Sequence, residues 1–258
     1  MLELIVRGGW PGNLEATGVD TGIMLREYLK AVVEDDVLRI DGIRRNTQKL
    51  WLLLRSLARN ESTTATDRTL QRDIKASDDQ DISIDTVAAY LDIFRRLYLL
   101  DEQPAFSAEL RSSTRVKQAA KRHFVDPSLA AALLGATPEK LLNNLETAVF
   151  LFEALCERDL RIYAEALGAS LYHYQDYSGR EMDAVIETSD GGWIAIEIKL
   201  GAGQIDAAAR NLLKLKDLIA ASGTGKAPLA LCVVCGLTNA AYLRPDGVYV
   251  LPIAALKP

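Results

Sequence analysis

The sequence GREMDAVIETSDGGWIAIEIKLG, residues 179 to 201, predicts two β-strands joined by a tight turn. Met182, Ala184 and Ile186 alternate with Asp183, Val185 and Glu187, which predicts a strand. The Gly191-Gly192 pair then predicts a turn, and the apolar run from Trp193 to Leu200 predicts a second strand. We take this hairpin as the centre of the fold.

Three charged residues interrupt the apolar pattern of the hairpin. Asp183 lies near the start of the first strand, and Glu197 and Lys199 share one face of the second because strand side chains have a period of two. Two carboxylates can hold Mg²⁺ or Mn²⁺, and a neighbouring ammonium can stabilise charge on a phosphate. We therefore expect the carboxylates of Asp183 and Glu197 to lie within about 6 Å of each other.

The spacing of Asp183 and Glu197-Ile198-Lys199 resembles the signature of the PD-(D/E)XK nuclease superfamily, which includes restriction endonucleases. Met182 stands where that signature often has proline. The resemblance implies a metal-dependent nuclease in which Asp183 and Glu197 hold the cation. Surface hairpins also carry cross-strand pairs of acid and lysine, so a structural interpretation stays open for the hairpin alone.

Composition indicates an ordinary globular protein of 258 residues with a formal net charge of −5. This charge argues against indiscriminate nucleic-acid binding, so any DNA contact has to be local. The cysteines Cys156, Cys232 and Cys235 fit core thiols in a reducing cytoplasm, although Cys232 and Cys235 alone could also form half of a redox or zinc site. No apolar run predicts a signal peptide or membrane span.

Residues 1–45 resemble the region that follows the nucleotide-binding core in a bacterial and archaeal AAA ATPase family, and we interpret them as an ATPase-lid-like helical remnant. The residues that carry this resemblance are Arg7, Gly8, Gly9, Pro11, Tyr28, Leu29 and Asp36. Gly223-Thr224-Gly225-Lys226 does not fit a phosphate-binding loop, because it lacks the first glycine and the Ser or Thr after lysine. We therefore expect no ATPase activity from this sequence.

Residues 46–136 predict a winged-helix-like domain of three helices followed by two β-like stretches. The third helix, Ser83 to Leu97, buries Ile84, Val87, Tyr90, Leu91 and Phe94, and its outward face is not strongly basic. Five cations cluster instead in the predicted wing and form a candidate phosphate-binding patch for DNA: Arg111, Arg115, Lys117, Lys121 and Arg122. A solvated hairpin is the alternative interpretation.

Residues 137–258 predict an αβββαβ order, which resembles the restriction-endonuclease-like domain that follows the winged helix in that ATPase family. The first helix should run from Thr137 to about Arg158. Glu146, at the margin of its apolar stripe, resembles the superfamily's helix glutamate, which implies that it holds a second cation or a cation-bound water. The alternative is a rim glutamate paired with an arginine.

The sequence thus predicts an α/β protein that binds or cleaves DNA with Mg²⁺ or Mn²⁺, with Lys199 positioning the attacking water. Because Lys199 lies outside the apolar core, we expect Lys199→Ala to change the free energy of unfolding by no more than about 0.5 kcal/mol. A non-catalytic adaptor for nucleic acid or protein, derived from the ATPase family, is the second hypothesis. A protein partner or a homo-oligomer is compatible with both, and we interpret His173 as a structural residue.

Overall fold

A computed structural model of the chain describes residues 1–14, 18–77, 82–109, 118–176, 178–223 and 225–256. The described chain is mixed α/β, with a helical N-terminal part followed by most of the strands. It divides into two compact units, the first formed by Met1–Glu102 and Lys121–Ala154, and the second by Gln103–Ala120 and Leu155–Pro258.

The first unit begins with helices α1 (Leu2–Arg7) and α2 (Gly18–Ala31). Helix α2 continues through a π-helical turn, Val32–Asp36, into a final turn, Val37–Arg39. Three helices follow where the apolar stripes predict them: α3 (Thr47–Arg59), α4 (Asp67–Ser77) and α5 (Ile84–Arg96). Ile84 is exposed rather than buried, because it lies at the first position of α5, directly after the capping residue Ser83.

Strands β1 (Leu100–Gln103) and β2 (Lys121–Phe124) pair in a two-stranded sheet. Helix α6 (Pro127–Leu134) starts directly after β2, with the side chain of Asp126 accepting a hydrogen bond from the backbone N–H of Ser128. Asp126 also accepts a hydrogen bond from the backbone N–H of Gly9, at 2.9 Å. The Gly8-Gly9 turn and the start of α6 are therefore joined through one carboxylate.

The single helix predicted from Thr137 to about Arg158 is wrong, because the structure has two helices there. Helix α7 (Pro138–Leu142) is short, and α8 (Leu145–Ala166) extends eight residues beyond the predicted end. Asn144 makes the break, since its side chain accepts the backbone N–H of Thr147 at 3.1 Å and so caps α8.

The second unit contains a six-stranded mixed sheet in the order β3-β4-β5-β6-β8-β7. Its strands are β3 (Ser170–Gln175), β4 (Glu181–Glu187), β5 (Trp193–Lys199), β6 (Ala230–Cys235), β7 (Tyr242–Leu243) and β8 (Val248–Pro252). The pairs β3/β4, β4/β5 and β7/β8 are antiparallel, whereas β5/β6 and β6/β8 are parallel. A parallel neighbour of β5 requires a crossover, which helix α9 (Ile205–Ser222) provides.

Helix α9 packs on one face of the sheet in the second unit. Its residues Ile205, Ala208, Leu212 and Leu215 recur at helical spacing and are buried, whereas Leu218 is 39% exposed. Strand β6 lies between β5 and β8, and its run Leu231–Cys235 is buried, as expected of a central parallel strand.

Residues before α8 also contribute to the core of the second unit. The buried side-chain amide of Gln103 donates to the backbone carbonyls of Tyr172 and Asp183, at 2.8 and 3.1 Å. Phe106 is fully buried, and its ring centroid lies 5.1 Å from that of Trp193. The segment 103–106 is thus an integral part of this unit.

Candidate active site

Strands β4 and β5 separate at the position of the three charged residues. Their regular pairing runs from Glu187 and Trp193 to Ala184 and Ile196, and no further pair is formed at Asp183. There, Oδ2 of Asp183 accepts a hydrogen bond from the backbone N–H of Ile198, at 2.6 Å. The carboxylate thus replaces the backbone acceptor that a continued ladder would have supplied, and the opened strands leave room for side chains between them.

The structure brings Asp183, Glu197 and Lys199 together. The ammonium of Lys199 lies 3.0 Å from Oδ2 of Asp183 and 2.5 Å from Oε2 of Glu197. Because both oxygens contact one nitrogen, their separation cannot exceed the sum of these distances, which lies within the about 6 Å expected for a shared cation. Both acids are buried, with 5% of Asp183 and 4% of Glu197 exposed.

Asn211, on helix α9, completes the set and was missed by the sequence analysis. Its side-chain amide donates to Oε1 of Glu197 at 2.5 Å and to the backbone carbonyl of Glu181 at 3.0 Å. The sequence does not distinguish Asn211 from the other polar residues of α9, such as Arg210 and Lys214. Gln204, just before α9, accepts a hydrogen bond from the backbone N–H of Gly201 at 3.2 Å.

Two carboxylates and one ammonium leave one negative charge uncompensated in a buried place. Burial first, and then the negative charge of Asp183, raise the pKa of Glu197 to about 7, although Lys199 and Asn211 act in the opposite direction. Burial lowers the pKa of Lys199, but the charges of Asp183 and Glu197 outweigh this effect, so its pKa is raised. Lys199 therefore stays charged near neutral pH.

The donor set fits a hard divalent cation. Carboxylate oxygens are the ligands that Mg²⁺ and Mn²⁺ prefer, and within the described residues Oδ1 of Asp183 receives no hydrogen bond. Mg²⁺ typically keeps several waters and takes only one or two protein carboxylates. Among the residues that the structure describes, no group of three or more His, Cys, Asp or Glu side chains forms a denser metal site.

Glu146 lies in the first turn of α8 and is exposed. It belongs to the first compact unit, whereas Asp183, Glu197 and Lys199 belong to the second. Its predicted role beside a cation stays a prediction.

The predicted basic wing is described only in part. Arg111, Arg115 and Lys117 lie outside the described residues. Lys121 is buried and pairs with Glu153 at 2.6 Å, and Arg122 pairs with Asp67 at 2.6 Å. These two cations form ion pairs inside the first unit. They therefore lack the exposed position that a phosphate contact requires.

Exposed cations instead follow one face of helix α4. Arg68, Arg72 and Lys75 are spaced by four and three residues and are all exposed. The two acids of the same helix, Asp67 and Asp73, pair with Arg122 and Arg59. The exposed face of α4 is therefore basic.

The remaining residues that the sequence analysis considered for a functional role, one histidine and three cysteines, are buried. His173 is buried, and its Nε2 lies 3.1 Å from the backbone oxygen of Ala119. All three cysteines are buried thiols, and burial raises the pKa of Cys232 to about 11. No helix among the described residues is both long and apolar enough to cross a bilayer.

Two family models match the chain. One, described as "Domain of unknown function (DUF8612)", matches residues 1–140, which is more than half of the chain. The other, described as "Domain of unknown function (DUF4143)", matches residues 150–256 and fits the C-terminal part of an AAA-associated family. Neither the curated proteins nor the solved structures contain a match.

Proposed function

Since the chain belongs to the DUF8612 family, whose description states no activity, we propose a function from the site: metal-dependent hydrolysis of phosphodiester bonds in DNA. The observation that carries the proposal is the contact of Asp183, Glu197 and Lys199 where β4 and β5 separate. Buried carboxylates are unfavourable unless they bind a partner, so two of them side by side favour a functional role.

Asp183 and Glu197 would hold Mg²⁺ or Mn²⁺ through Oδ1 of Asp183 and through Oε2 of Glu197, an oxygen that the cation would share with or take over from Lys199. When bound, the cation would supply charge neutralisation on the phosphate and a more acidic water. The donor set and the uncompensated negative charge of the site both fit this role.

Lys199 would act directly on the reacting groups. Its ammonium is already within hydrogen-bond distance of both acids, so it can also reach a water or a phosphate oxygen placed beside them. In hydrolysis, the water oxygen forms a bond to phosphorus and the bond between phosphorus and one sugar oxygen breaks. That sugar oxygen leaves as a hydroxyl after it takes up a proton, and the water gives up a proton.

The order of elements supports the nuclease interpretation. Helix α8, strands β3 to β5, helix α9 and strand β6 follow the αβββαβ order of restriction-endonuclease-like domains. Helices α3 to α5 and strands β1 and β2 follow the order of a winged helix. We retain the division into 1–45, 46–136 and 137–258 as a proposal about modules.

A cleavage assay tests the proposal. Wild type, Glu197→Gln and the control Asp217→Asn, an exposed acid on α9, are incubated with single- and double-stranded DNA in Mg²⁺, Mn²⁺ or EDTA. We expect wild type and Asp217→Asn to cut in Mg²⁺ or Mn²⁺ alone, and Glu197→Gln to stay at the EDTA level. Equal cutting by Glu197→Gln, or no cutting above EDTA by wild type, would overturn the proposal.

One observation favours a second function, a non-catalytic adaptor for nucleic acid or protein. Lys199 already contacts both carboxylates and so occupies the position between them that a cation would take. In an adaptor this ion pair would be permanent, and the protein would bind DNA without cutting it. Calorimetric titration with Mn²⁺ separates the two functions, because only the nuclease needs the cation.

A further inference from the structure

Asn211 connects the helix, both strands and one acid of the site. Its amide carries two N–H donors, and the structure uses both of them, one on Oε1 of Glu197 and one on the carbonyl of Glu181. Glu181 lies in β4 and Glu197 lies in β5. A single side chain from α9 therefore holds the two strands at the end where their regular pairing has stopped.

The two oxygens of Glu197 have different partners. Oε1 takes the amide of Asn211, and Oε2 takes the ammonium of Lys199. A carboxylate that is held at one oxygen cannot rotate without breaking that hydrogen bond, so its second oxygen keeps one direction. Oε2 is consequently aimed at Lys199 and, through it, at Asp183.

We propose that Asn211 is a positioning residue that fixes the Glu197 carboxylate for a divalent cation. This inference rests on the proposed function, because it assigns a role toward the cation that Asp183 and Glu197 would hold. We do not assign Asn211 as a ligand of the cation, because its amide nitrogen bonds Oε1 of Glu197, whereas Oε2 is the oxygen that contacts Lys199. Side chains that orient a metal ligand in this way commonly raise the metal affinity by about 10- to 100-fold.

The test is the affinity of the full chain for Mn²⁺ alone, measured by calorimetry at pH 8. Asn211→Leu removes both donors and keeps the branching at Cγ, and Asn211→Gln keeps the amide on a longer side chain. Asp217→Ala is the matched control, because it is exposed on the same helix and Asp and Asn have similar helix propensities. We expect about 10- to 100-fold weaker binding in Asn211→Leu, a smaller loss in Asn211→Gln, and less than about a twofold change in the control.

A second measurement uses only the wild-type protein and so does not depend on whether a variant folds. The side-chain NH₂ resonances of Asn211 in ¹⁵N-labelled wild type should shift when Mg²⁺ is added, because the charge on their acceptor Glu197 changes. The backbone amide of Ile198, which bonds Asp183, reports cation binding independently. If Asn211→Leu fails to fold, Asn211→Gln and this spectrum decide the question.

The outcomes separate the two proposals. If wild type binds Mn²⁺ and Asn211→Leu binds it equally well, or if the Ile198 amide shifts while the Asn211 amide does not, the positioning role is overturned and the proposed function stands. If wild type binds no Mn²⁺, both are overturned.

Discussion

Lys199 brings one positive charge into contact with two buried carboxylates. Because of this contact, removing the Lys199 side chain should change the free energy of unfolding. The sequence alone placed Lys199 outside the core and led us to expect no more than about 0.5 kcal/mol for Lys199→Ala. Without the ammonium, however, Asp183 and Glu197 would face each other as two buried negative charges. Removing one partner of a buried ion pair generally destabilises by several kcal/mol, and about 3 to 5 kcal/mol is typical.

We therefore predict that Lys199→Ala lowers the free energy of unfolding by about 1 to 3 kcal/mol at pH 8, below the fully buried range because a quarter of the side chain is exposed. Urea unfolding measures this loss, and Lys214→Ala, an exposed lysine on α9, is the control. Mn²⁺ should stabilise Lys199→Ala more than wild type, since the cation replaces the missing positive charge. A loss equal to that of Lys214→Ala would contradict the prediction.

The raised pKa of Glu197 predicts that cation binding depends on pH. Below about pH 7 the folded protein holds a proton on Glu197 that Mn²⁺ has to displace, so the affinity should rise by up to about tenfold per pH unit until pH 7 and then level off. Calorimetry from pH 6 to 8 measures this, with Asp217→Asn as the unchanged control. An affinity that is constant over this range would show that Glu197 is not a ligand.

The raised pKa of Glu197 also makes the stability of the metal-free protein depend on pH. The folded pKa of Glu197 lies above its ordinary value of 4.5, so the folded state binds more protons than the unfolded state between these two pH values. Stability contributed by this group is therefore present at low pH and is lost as the pH rises through about 7. Lys199, whose pKa is raised, contributes stability that is present below its ordinary pKa of 10.5 and is lost at higher pH.

At the scale of elements, the opening between β4 and β5 depends on Asp183 acting as a backbone partner. Its carboxylate accepts the N–H of Ile198, which is buried. Asp183→Asn keeps a carbonyl oxygen for this bond, whereas Asp183→Ala leaves the N–H without an acceptor. An unsatisfied buried donor destabilises by about 1 to 3 kcal/mol.

We predict that Asp183→Ala is less stable than Asp183→Asn by about 1 to 3 kcal/mol, and that both bind Mn²⁺ much more weakly than wild type. Thermal unfolding in EDTA compares their stability, and calorimetry compares their affinity. Equal stability of the two variants would mean that water satisfies the Ile198 N–H and that the strands separate for another reason.

The sequence predicted helices and strands well where the spacing of apolar residues determines the element. Leu50, Leu53, Leu54 and Leu57 recur at helical spacing and are buried in α3, and Glu197 and Lys199 lie together on one face of β5, as the period of a strand predicts. The prediction failed where a single polar side chain overrides the period, as Asn144 does when it divides the expected helix. It also missed Asn211, because contact between α9 and β5 is set by tertiary packing.

The exposed cations of helix α4, Arg68, Arg72 and Lys75, are our candidate for the DNA contact of the proposed function. We predict that Arg68→Gln with Arg72→Gln weakens DNA binding and lowers its salt dependence by about one unit of slope per lost phosphate contact. Arg26→Gln with Lys30→Gln removes two exposed cations from α2 and is the matched control. Fluorescence anisotropy over a series of salt concentrations measures both. If the two double variants weaken DNA binding equally, the net charge of the protein determines the affinity, and the position of the cations on α4 does not.

At the scale of the whole molecule, the second compact unit is assembled from two separate parts of the chain. Residues 103–120 belong to it together with 155–258, while 121–154 belong to the first unit. The buried Gln103 bonds the carbonyl of Asp183, so the early segment reaches the strand that carries the site. A contiguous pattern such as αβββαβ contains no signal for this contribution, because the segment lies before the first helix of that pattern.

Phe106 shows how much the second unit depends on the early segment. Its ring is fully buried between Trp193 and Tyr172, with centroid distances of 5.1 and 6.1 Å. We predict that Phe106→Ala destabilises the full chain by about 3 to 5 kcal/mol, the usual result of truncating a buried aromatic side chain, whereas Phe150→Ala, which removes a ring that is 38% exposed, changes stability by less. Urea unfolding followed by tryptophan fluorescence measures both variants.

A fragment of residues 137–258 lacks Phe106 and Gln103 together, so it should be less stable than the second unit of the Phe106→Ala chain. Losing Phe106 opens a cavity against Trp193, and losing Gln103 leaves the carbonyls of Tyr172 and Asp183 without their donor. We expect circular dichroism to show no cooperative unfolding transition for this fragment. A fragment that unfolds cooperatively with the stability of the full chain would show that residues 137–258 fold independently and that segment 103–120 only covers a finished sheet.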